Sequence, residues 1–187
     1  PVLESYCGFA GGPISILQID AHIDWRDEVG GERQGLSSNM RRASEMAHVG
    51  AIVQLAARGI GSARRDDVRA ALDYGVAFHT MRRRREPGGI ARAVADLPEG
   101  VPVYVAFDVD SLDPTLMPAV IGAAQGGLDY WQMMEIFEAI AARAPICGCN
   151  LVELMPSRDV NGQGALMASR LGLSMLGLMA AQVAAGR

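Results

Sequence analysis

Two short segments hold most of the chemistry-bearing residues of this chain. Asp20-Ala21-His22-Ile23-Asp24 closes the apolar run Ile14 to Ile19, and Asp108-Val109-Asp110 closes the run Val103 to Phe107. In extended backbone, residues two apart point to the same side, so each segment presents its acidic and imidazole groups together at a strand end. If the two strands are neighbours, the clusters merge into one site. Four carboxylates and one imidazole converging without counter-charge repel one another, and a carboxylate-rich set with one histidine suits Mn²⁺ or Mg²⁺ rather than structural zinc. Five protein ligands exceed what one cation with open positions needs. A two-metal centre sharing carboxylates fits better, with hydrolysis of a small polar substrate as its chemistry. A single Asp after a strand usually closes a turn or caps a helix, but that does not account for five ligand-type residues at period-two spacing.

The elements that must position these residues read as βα units. Ile14 to Ile19 is a strand entered from Gly11-Gly12-Pro13, and a polar, Gly-rich loop follows it to Leu36. Ser37 or Ser38 is placed to cap a helix over Met40 to Met46, and Ile52 to Ala57 resumes as a strand. Ser62 then caps a helix ending near Tyr74-Gly75, and Val76 to His79 is a brief strand. Ile90 to Leu97 is weakly helical, Val103 to Phe107 is a strand, and a long loop from Ser111 to Gly127 leads into an amphipathic helix, Tyr130 to Arg143. Cys147 to Leu154 is the last strand, before a C-terminal helix. About five strands and five helices without hairpin turns imply right-handed crossovers and a parallel sheet with its ligand site at the strands' carboxyl ends.

The chain is 187 residues, enough for one domain with a core, and is read as a single domain over 1–187. Its 17 basic and 21 acidic side chains leave no electrostatic footprint for nucleic acid or an anionic membrane, so a small neutral or cationic ligand fits better. Three cysteines, Cys7, Cys147 and Cys149, are too few for a disulfide framework, which points to a reducing compartment and the cytoplasm. Leu171 to Ala185 is apolar but short and interrupted by Ser174 and Gln182; it reads as a buried or subunit-facing helix and not a membrane span.

Taken together, the two segments resemble the ureohydrolase superfamily of arginases, agmatinases and formimidoylglutamases, the agmatinases most of all. The hallmarks are a D-A-H-x-D strand end, here Asp20 to Asp24, and a D-x-D-x-x-D-P stretch, here Asp108 to Pro114, followed by Pro118 and Gly126-Gly127. The resemblance implies a three-layer αβα fold around a mainly parallel sheet, incomplete on its N-terminal side. It implies two Mn²⁺ ions that activate a bridging hydroxide against a guanidinium carbon, releasing urea. By the same resemblance Asp20 and Asp108 bridge the ions, His22 and Asp110 complete the second ion's shell, and Asp24 binds the first and shuttles the proton to the leaving amine. Glu153, in Leu151-Val152-Glu153-Leu154-Met155-Pro156, matches the glutamate that pairs with the guanidinium; a carboxylate suits that planar fork of donors. Trp25, directly after Asp24, is a candidate for the pocket mouth. A homo-oligomer, trimer or hexamer, is implied by analogy.

Three departures from the family pattern stand out. Nothing in Pro1 to Ile19 resembles the G-G-D-H-S segment that supplies the family's first histidine, so the expectation is a chain that begins after that motif. Leu36-Ser37-Ser38 stands where a His-Gly-Thr stretch is usual, and Pro118 to Gln125 lacks the family's threonines. An agmatine-like guanidino substrate is preferred over arginine. Two rival readings remain: a Mg²⁺-dependent phosphatase of the haloacid dehalogenase type using Asp108 and Asp110, and a non-catalytic fragment or pseudoenzyme. Arg82 to Arg85 reads as a solvated surface. Cys147 and Cys149 read as small buried thiols on one face of a strand, and His48 and His79 lack ligand-type neighbours.

Overall fold

The computed structural model describes Leu3, residues 12–59, 61, 63–84 and 88–186. Five parallel strands, β1 (Ile14–Ile19), β2 (Val49–Leu55), β3 (Ala77–His79), β4 (Val103–Asp108) and β5 (Ile146–Val152), form one sheet in the order β3-β2-β1-β4-β5. The chain winds outward from β1 first to one side and then to the other. The reversal falls between β1 and β4, where a doubly wound sheet opens its ligand crevice at the carboxyl ends. Every residue of β1 and of β4 is buried, as expected of central strands covered on both faces.

Among the described residues six α-helices accompany the sheet: α1 (Asn39–Ser44), α2 (Arg65–Tyr74), α3 (Met81–Arg84), α4 (Gly89–Ala95), α5 (Tyr130–Arg143) and α6 (Gln163–Ala184). One face of β1, Leu17 and Ile19, packs into a core with Val53, Val105 and Phe107 under Ile90 of α4, Phe137 of α5 and Leu171 of α6. The other face, Ile14 and Ile16, packs with Ile52, Tyr104 and Ala106 against Met40 and Ala43 of α1 and Ala71 of α2. This is the expected three-layer αβα arrangement. The α5 boundaries fall where the periodicity puts them, because Met133, Ile136, Phe137 and Ile140 form the buried stripe and Asp129 with Gln132 closes a capping box.

Other boundaries shift for local reasons. β2 starts at Val49, three residues before the expected strand, since Ile14 pairs with Val49 across a register shift that Gly50 and Ala51 do not betray in sequence. Ser38 is the N-cap of α1, yet its hydroxyl makes no capping bond; α2 is capped by Arg64, and the expected cap Ser62 lies outside the described residues. Arg82 and Arg83 are exposed, and Arg85 is not described. Cys147 and Cys149 lie on opposite faces, because a register shift near the start of the β4 and β5 pairing breaks the two-residue alternation.

The C-terminal helix α6 begins eight residues before the apolar segment that announced it. It is long and apolar enough to cross a membrane by length and composition. One face, including Ala168, Leu171 and Met175, packs in the core, while Leu173, Leu176 and Val183 are exposed. The Gln182 that interrupts the apolar run is buried: its amide donates to the carbonyls of Ala141 and Ala144, and its oxygen accepts from Ile146 N–H, joining α6 to the α5–β5 turn.

Candidate metal centre

The pairing of β1 with β4 carries Ile19 beside Phe107, so both acidic segments leave the sheet side by side. Ligand atoms of Asp20, His22 and Asp110 all come within 4.8 Å of one another. His22 Nδ1 lies 3.0 Å from Asp110 Oδ2 and 3.3 Å from Asp20 Oδ1. The carboxylates are held from behind by backbone amides: Ala21 N–H donates to Asp110 at 3.1 Å, His22 N–H to Asp20 at 2.6 Å, and Asp110 N–H to Asp108 at 2.8 Å. Asp20, Asp108 and Asp110 are buried; His22, Asp24 and Glu153 are half-buried.

The electrostatics show how uncomfortable this cluster is without a cation. Burial, with Asp20 and Asp110 adding to it, pushes the Asp108 carboxyl up to about 10. Burial and then the Asp20 charge push Asp24 up to about 8. Burial also raises Asp20, against the hydrogen bond from His22. Burial works the same way on Asp110, but hydrogen bonds from His22 and Ala21 and the His22 charge bring it below the usual carboxylate range. The His22 imidazole is correspondingly raised to about 10 by its bonds to Asp110 and Asp20. A protonated imidazole thus occupies the electrostatic role that a cation would take. Three carboxylates driven toward their neutral forms around one imidazolium are a donor set that fits a divalent, oxygen-seeking ion. Glu153 belongs to the same field: burial and then Asp110 and Asp20 raise its pKa.

Supporting groups come from residues that the sequence reading passed over. Gln18 and Gln54 are register partners on β1 and β2, and their amides hydrogen-bond each other inside the sheet. Gln18 Nε2 then donates to Asp20 Oδ2 at 2.6 Å, while Gln54 Nε2 also reaches the Ile23 carbonyl at 2.7 Å. Asn39, at the start of α1, donates to Asp24 Oδ2 at 3.0 Å. The signal was present: two glutamines in otherwise apolar runs, one of them two residues before Asp20 and so on its face of the strand. Neighbouring segments are tied in by backbone: Met155 N–H donates to Ala119 O, and Arg158 Nη1 to the carbonyls of Val120 and Ile121, which joins the stretch after Glu153 to the 118–125 loop.

Two backbone features mark the site. Asp24 and Glu153 both take left-handed conformations, φ 47° and 66°, which cost free energy in a non-glycine residue and persist where surrounding contacts hold them. Gly122 has no side chain because none fits: a Cβ there would stand 2.8 Å from His22 Cε1 and 3.4 Å from Asp110 Oδ2.

Trp25 does not line the pocket mouth. It is 1% exposed, packs in the core beneath α1 and α2, and meets the Tyr74 ring at 5.7 Å. It follows directly on the left-handed turn at Asp24, six residues past the end of β1. A cavity of about 220 Å³ opens beside Asp20 and Asp108 instead, lined in part by Gln18, Asn39, Met40 and Asn150. His79 is remote from the centre, paired with Asp96 at 2.7 Å.

Known proteins are similar to this chain in sequence and fold. The chain is 31% identical over 173 residues to the mitochondrial arginase 1 of Arabidopsis thaliana, covering 91% of this chain and 49% of that protein. It is 31% identical over 168 residues to an agmatinase of Pyrococcus horikoshii, covering 90% and 56%. The solved arginase of Medicago truncatula superposes with a TM-score of 0.82 at 31% identity, over 96% of this chain and 55% of that one. The chain therefore spans about half the length of the curated relatives it matches. The sequence model of the arginase family matches residues 1–177, nearly the whole chain, including both acidic strand ends and Glu153. With the parallel sheet, the switch point and the acidic cluster all in place, the chain belongs to the arginase family.

Proposed function

We propose that this chain carries the catalytic half of a Mn²⁺-dependent ureohydrolase that cleaves a guanidino C–N bond and releases urea, with an agmatine-like substrate. The observation that carries this reading is the convergence of Asp20, His22 and Asp110 at the β1–β4 switch point, with Asp24, Asp108 and Glu153 in the same field. Asp20, His22, Asp24, Asp108 and Asp110 would hold two Mn²⁺ ions. The bound metal supplies Lewis acidity and an acidified water.

The chain's own residues do the rest. Glu153 accepts hydrogen bonds from the guanidinium, and the incoming positive charge returns its raised pKa toward the ionised form. Asp24, anchored through one oxygen by Asn39, would take the proton given up by the attacking water and pass it to the leaving amine. Gln18 and the Ala21 and His22 amides fix the carboxylate orientations before substrate arrives. A phosphatase of the haloacid dehalogenase type gives Asp20 and His22 no task. A homo-oligomer in the cytoplasm, taking a small guanidino substrate and neither nucleic acid nor membrane, completes the proposal.

The test is urea release from agmatine, 4-guanidinobutyrate and arginine by the Mn²⁺-loaded protein, alongside its Asp110→Asn variant. Urea from one substrate, abolished together with most Mn²⁺ affinity in the variant, supports the reading. Mn²⁺ binding unchanged by the substitution refutes it, and metal bound without urea from any guanidino compound favours a non-catalytic chain.

A further inference from the structure

Arg58, two residues past the left-handed Ala56 that follows β2, sits where four segments of the site meet. Its backbone N–H donates to Ala21 O at 3.0 Å, which ties it to the strand end carrying Asp20 and His22. Its side chain reaches the other way. Nη2 donates to Asp110 O at 2.8 Å, Leu112 O at 3.1 Å and Ala124 O at 2.7 Å. Nε donates to Ala124 O at 3.1 Å and Gln125 O at 3.2 Å, and Nη1 to Ala56 O at 3.2 Å. Five carbonyls from three stretches of chain thus converge on one guanidinium, and among the described residues no carboxylate takes part in an ion pair with it.

The surroundings are shaped to admit this group. A Cβ on Gly127 would stand 2.6 Å from Arg58 Nη2 and 2.4 Å from Asp113 N, so glycine is what lets the loop close over the guanidinium. The Asp113 carboxylate takes the Gly126 and Gly127 amides from the other side. The consequence reaches the metal ligands by two routes. One is direct, through the Asp110 carbonyl. The other runs through Ala124 to Gly122, two residues away, whose backbone walls the His22 imidazole and Asp110 Oδ2.

We propose that Arg58 is a positioning residue of the metal centre: its guanidinium clamps the 121–127 loop to the Asp110 turn and so fixes where His22 and Asp110 present their ligand atoms. The proposal rests on the metal-centre reading above. Arginine is needed because a planar fork carries five N–H donors in fixed directions, whereas a lysine ammonium has three on a flexible stem and cannot serve carbonyls spread around a plane.

The test compares the purified protein with Arg58→Lys and Arg58→Gln. Arg143→Lys serves as the control, since Arg143 also donates to carbonyls, those of Leu97 and Ala95, away from the site. Amide hydrogen exchange of residues 121–127 is read on the metal-free proteins, and Mn²⁺ affinity from the free-ion paramagnetic resonance signal. Both Arg58 variants are expected to melt cooperatively, to exchange the loop on the order of tenfold faster, and to bind Mn²⁺ on the order of 10- to 100-fold more weakly, while the control changes neither. Loop exchange and Mn²⁺ affinity that stay at wild-type values overturn the proposal. So does a failure of both Arg58 variants to fold, which would make the residue part of the general framework. If the unaltered protein binds no Mn²⁺, the metal reading fails, and loop exchange in the metal-free protein still decides whether Arg58 is the clamp.

Discussion

Gly122→Ala separates metal binding from folding more cleanly than any ligand substitution. The new methyl would lie 2.8 Å from His22 Cε1 and 3.3 Å from Nε2, against an ordinary contact of 3.4 Å or more. The imidazole, or the loop, must therefore retreat by about 0.6 Å. Ligand distances in a metal site tolerate only about 0.2 Å, so the displacement is roughly three times what coordination accepts. The movement also pulls Nδ1 off the 3.0 Å contact with Asp110. A loss of Mn²⁺ affinity on the order of 10- to 100-fold follows, the range seen when the groups that orient a ligand are disturbed. The metal-free protein should lose part of the His22–Asp110 contact, a loss offset in part because Gly122 has no positive φ and Gly→Ala restricts the unfolded chain by about 0.4–1 kcal/mol. The expected signature in a melting assay is a small fall in metal-free Tm with most of the Mn²⁺-induced rise removed. Wild-type Mn²⁺ affinity by calorimetry would refute the packing of Gly122 against His22, and a large drop in metal-free Tm would show that the glycine serves the fold.

Three further outcomes are expected. Glu153→Gln should keep Mn²⁺ affinity within about threefold while lowering kcat/KM for a guanidino amine by on the order of 100-fold, since a neutral amide loses the charge-assisted pair; steady-state kinetics beside metal titration checks both halves. In metal-free protein, His22 has a folded pKa of about 10 against 6.5, so its stabilisation is complete below pH 6.5 and lost as pH rises toward 10. Asp24 and Asp108, at about 8 and about 10 against 3.8, act in the same direction, so Tm should fall from pH 5 to pH 10 without metal and much less with Mn²⁺; a metal-free Tm that rises over this range contradicts the assignment. Trp25→Phe should leave KM unchanged, because the indole is buried and does not line the cavity beside Asp20 and Asp108. Its lost packing is partly offset by removing an N–H that has no partner among the described residues, so a raised KM would return Trp25 to the pocket.

Much of the framework was legible because it follows from short-range rules. Ile14 to Ile19 and Tyr130 to Arg143 carry periodicity, and the acidic strand ends carry a residue pattern whose chemistry is narrow. What was hidden depends on pairings that no local rule fixes. Val49 joins β2 only because it meets Ile14, and the faces of Cys147 and Cys149 part only because the strand bulges against β4. Trp25 turned inward because Asp24 adopts a left-handed conformation that its sequence permits but does not demand. Arg58 was silent for the opposite reason. An arginine after a strand looks like a solvated charge, and its partners are carbonyls from residues 52 to 67 positions away, apart from Ala56. Backbone acceptors leave no trace in residue types, so a clamp made of them cannot be read until the loops are folded.

The same contrast accounts for how labour is divided within the site. Ligand atoms that must be placed to a few tenths of an ångström leave the ends of the two most deeply buried strands, where the sheet fixes the backbone. Groups that aim them come from adjacent strands, as Gln18 and Gln54 do, or from loop carbonyls gathered on Arg58. Such rigidity has a cost, because carboxylates that cannot move apart cannot all be charged together. Asp20, Asp24 and Asp108 are all raised; the His22 imidazolium offsets part of this on Asp20 and, behind the Asn39 hydrogen bond, on Asp24. Metal uptake must therefore expel protons from His22 and from raised carboxylates together, so affinity should climb with pH while the metal-free fold weakens. A cluster kept for stability alone would relax by substituting an apolar residue at one strand end. On the proposed function, the ligand-type residues at both strand ends, a glycine cut to fit His22 and an arginine held by carbonyls together make the geometry of a site that holds cations.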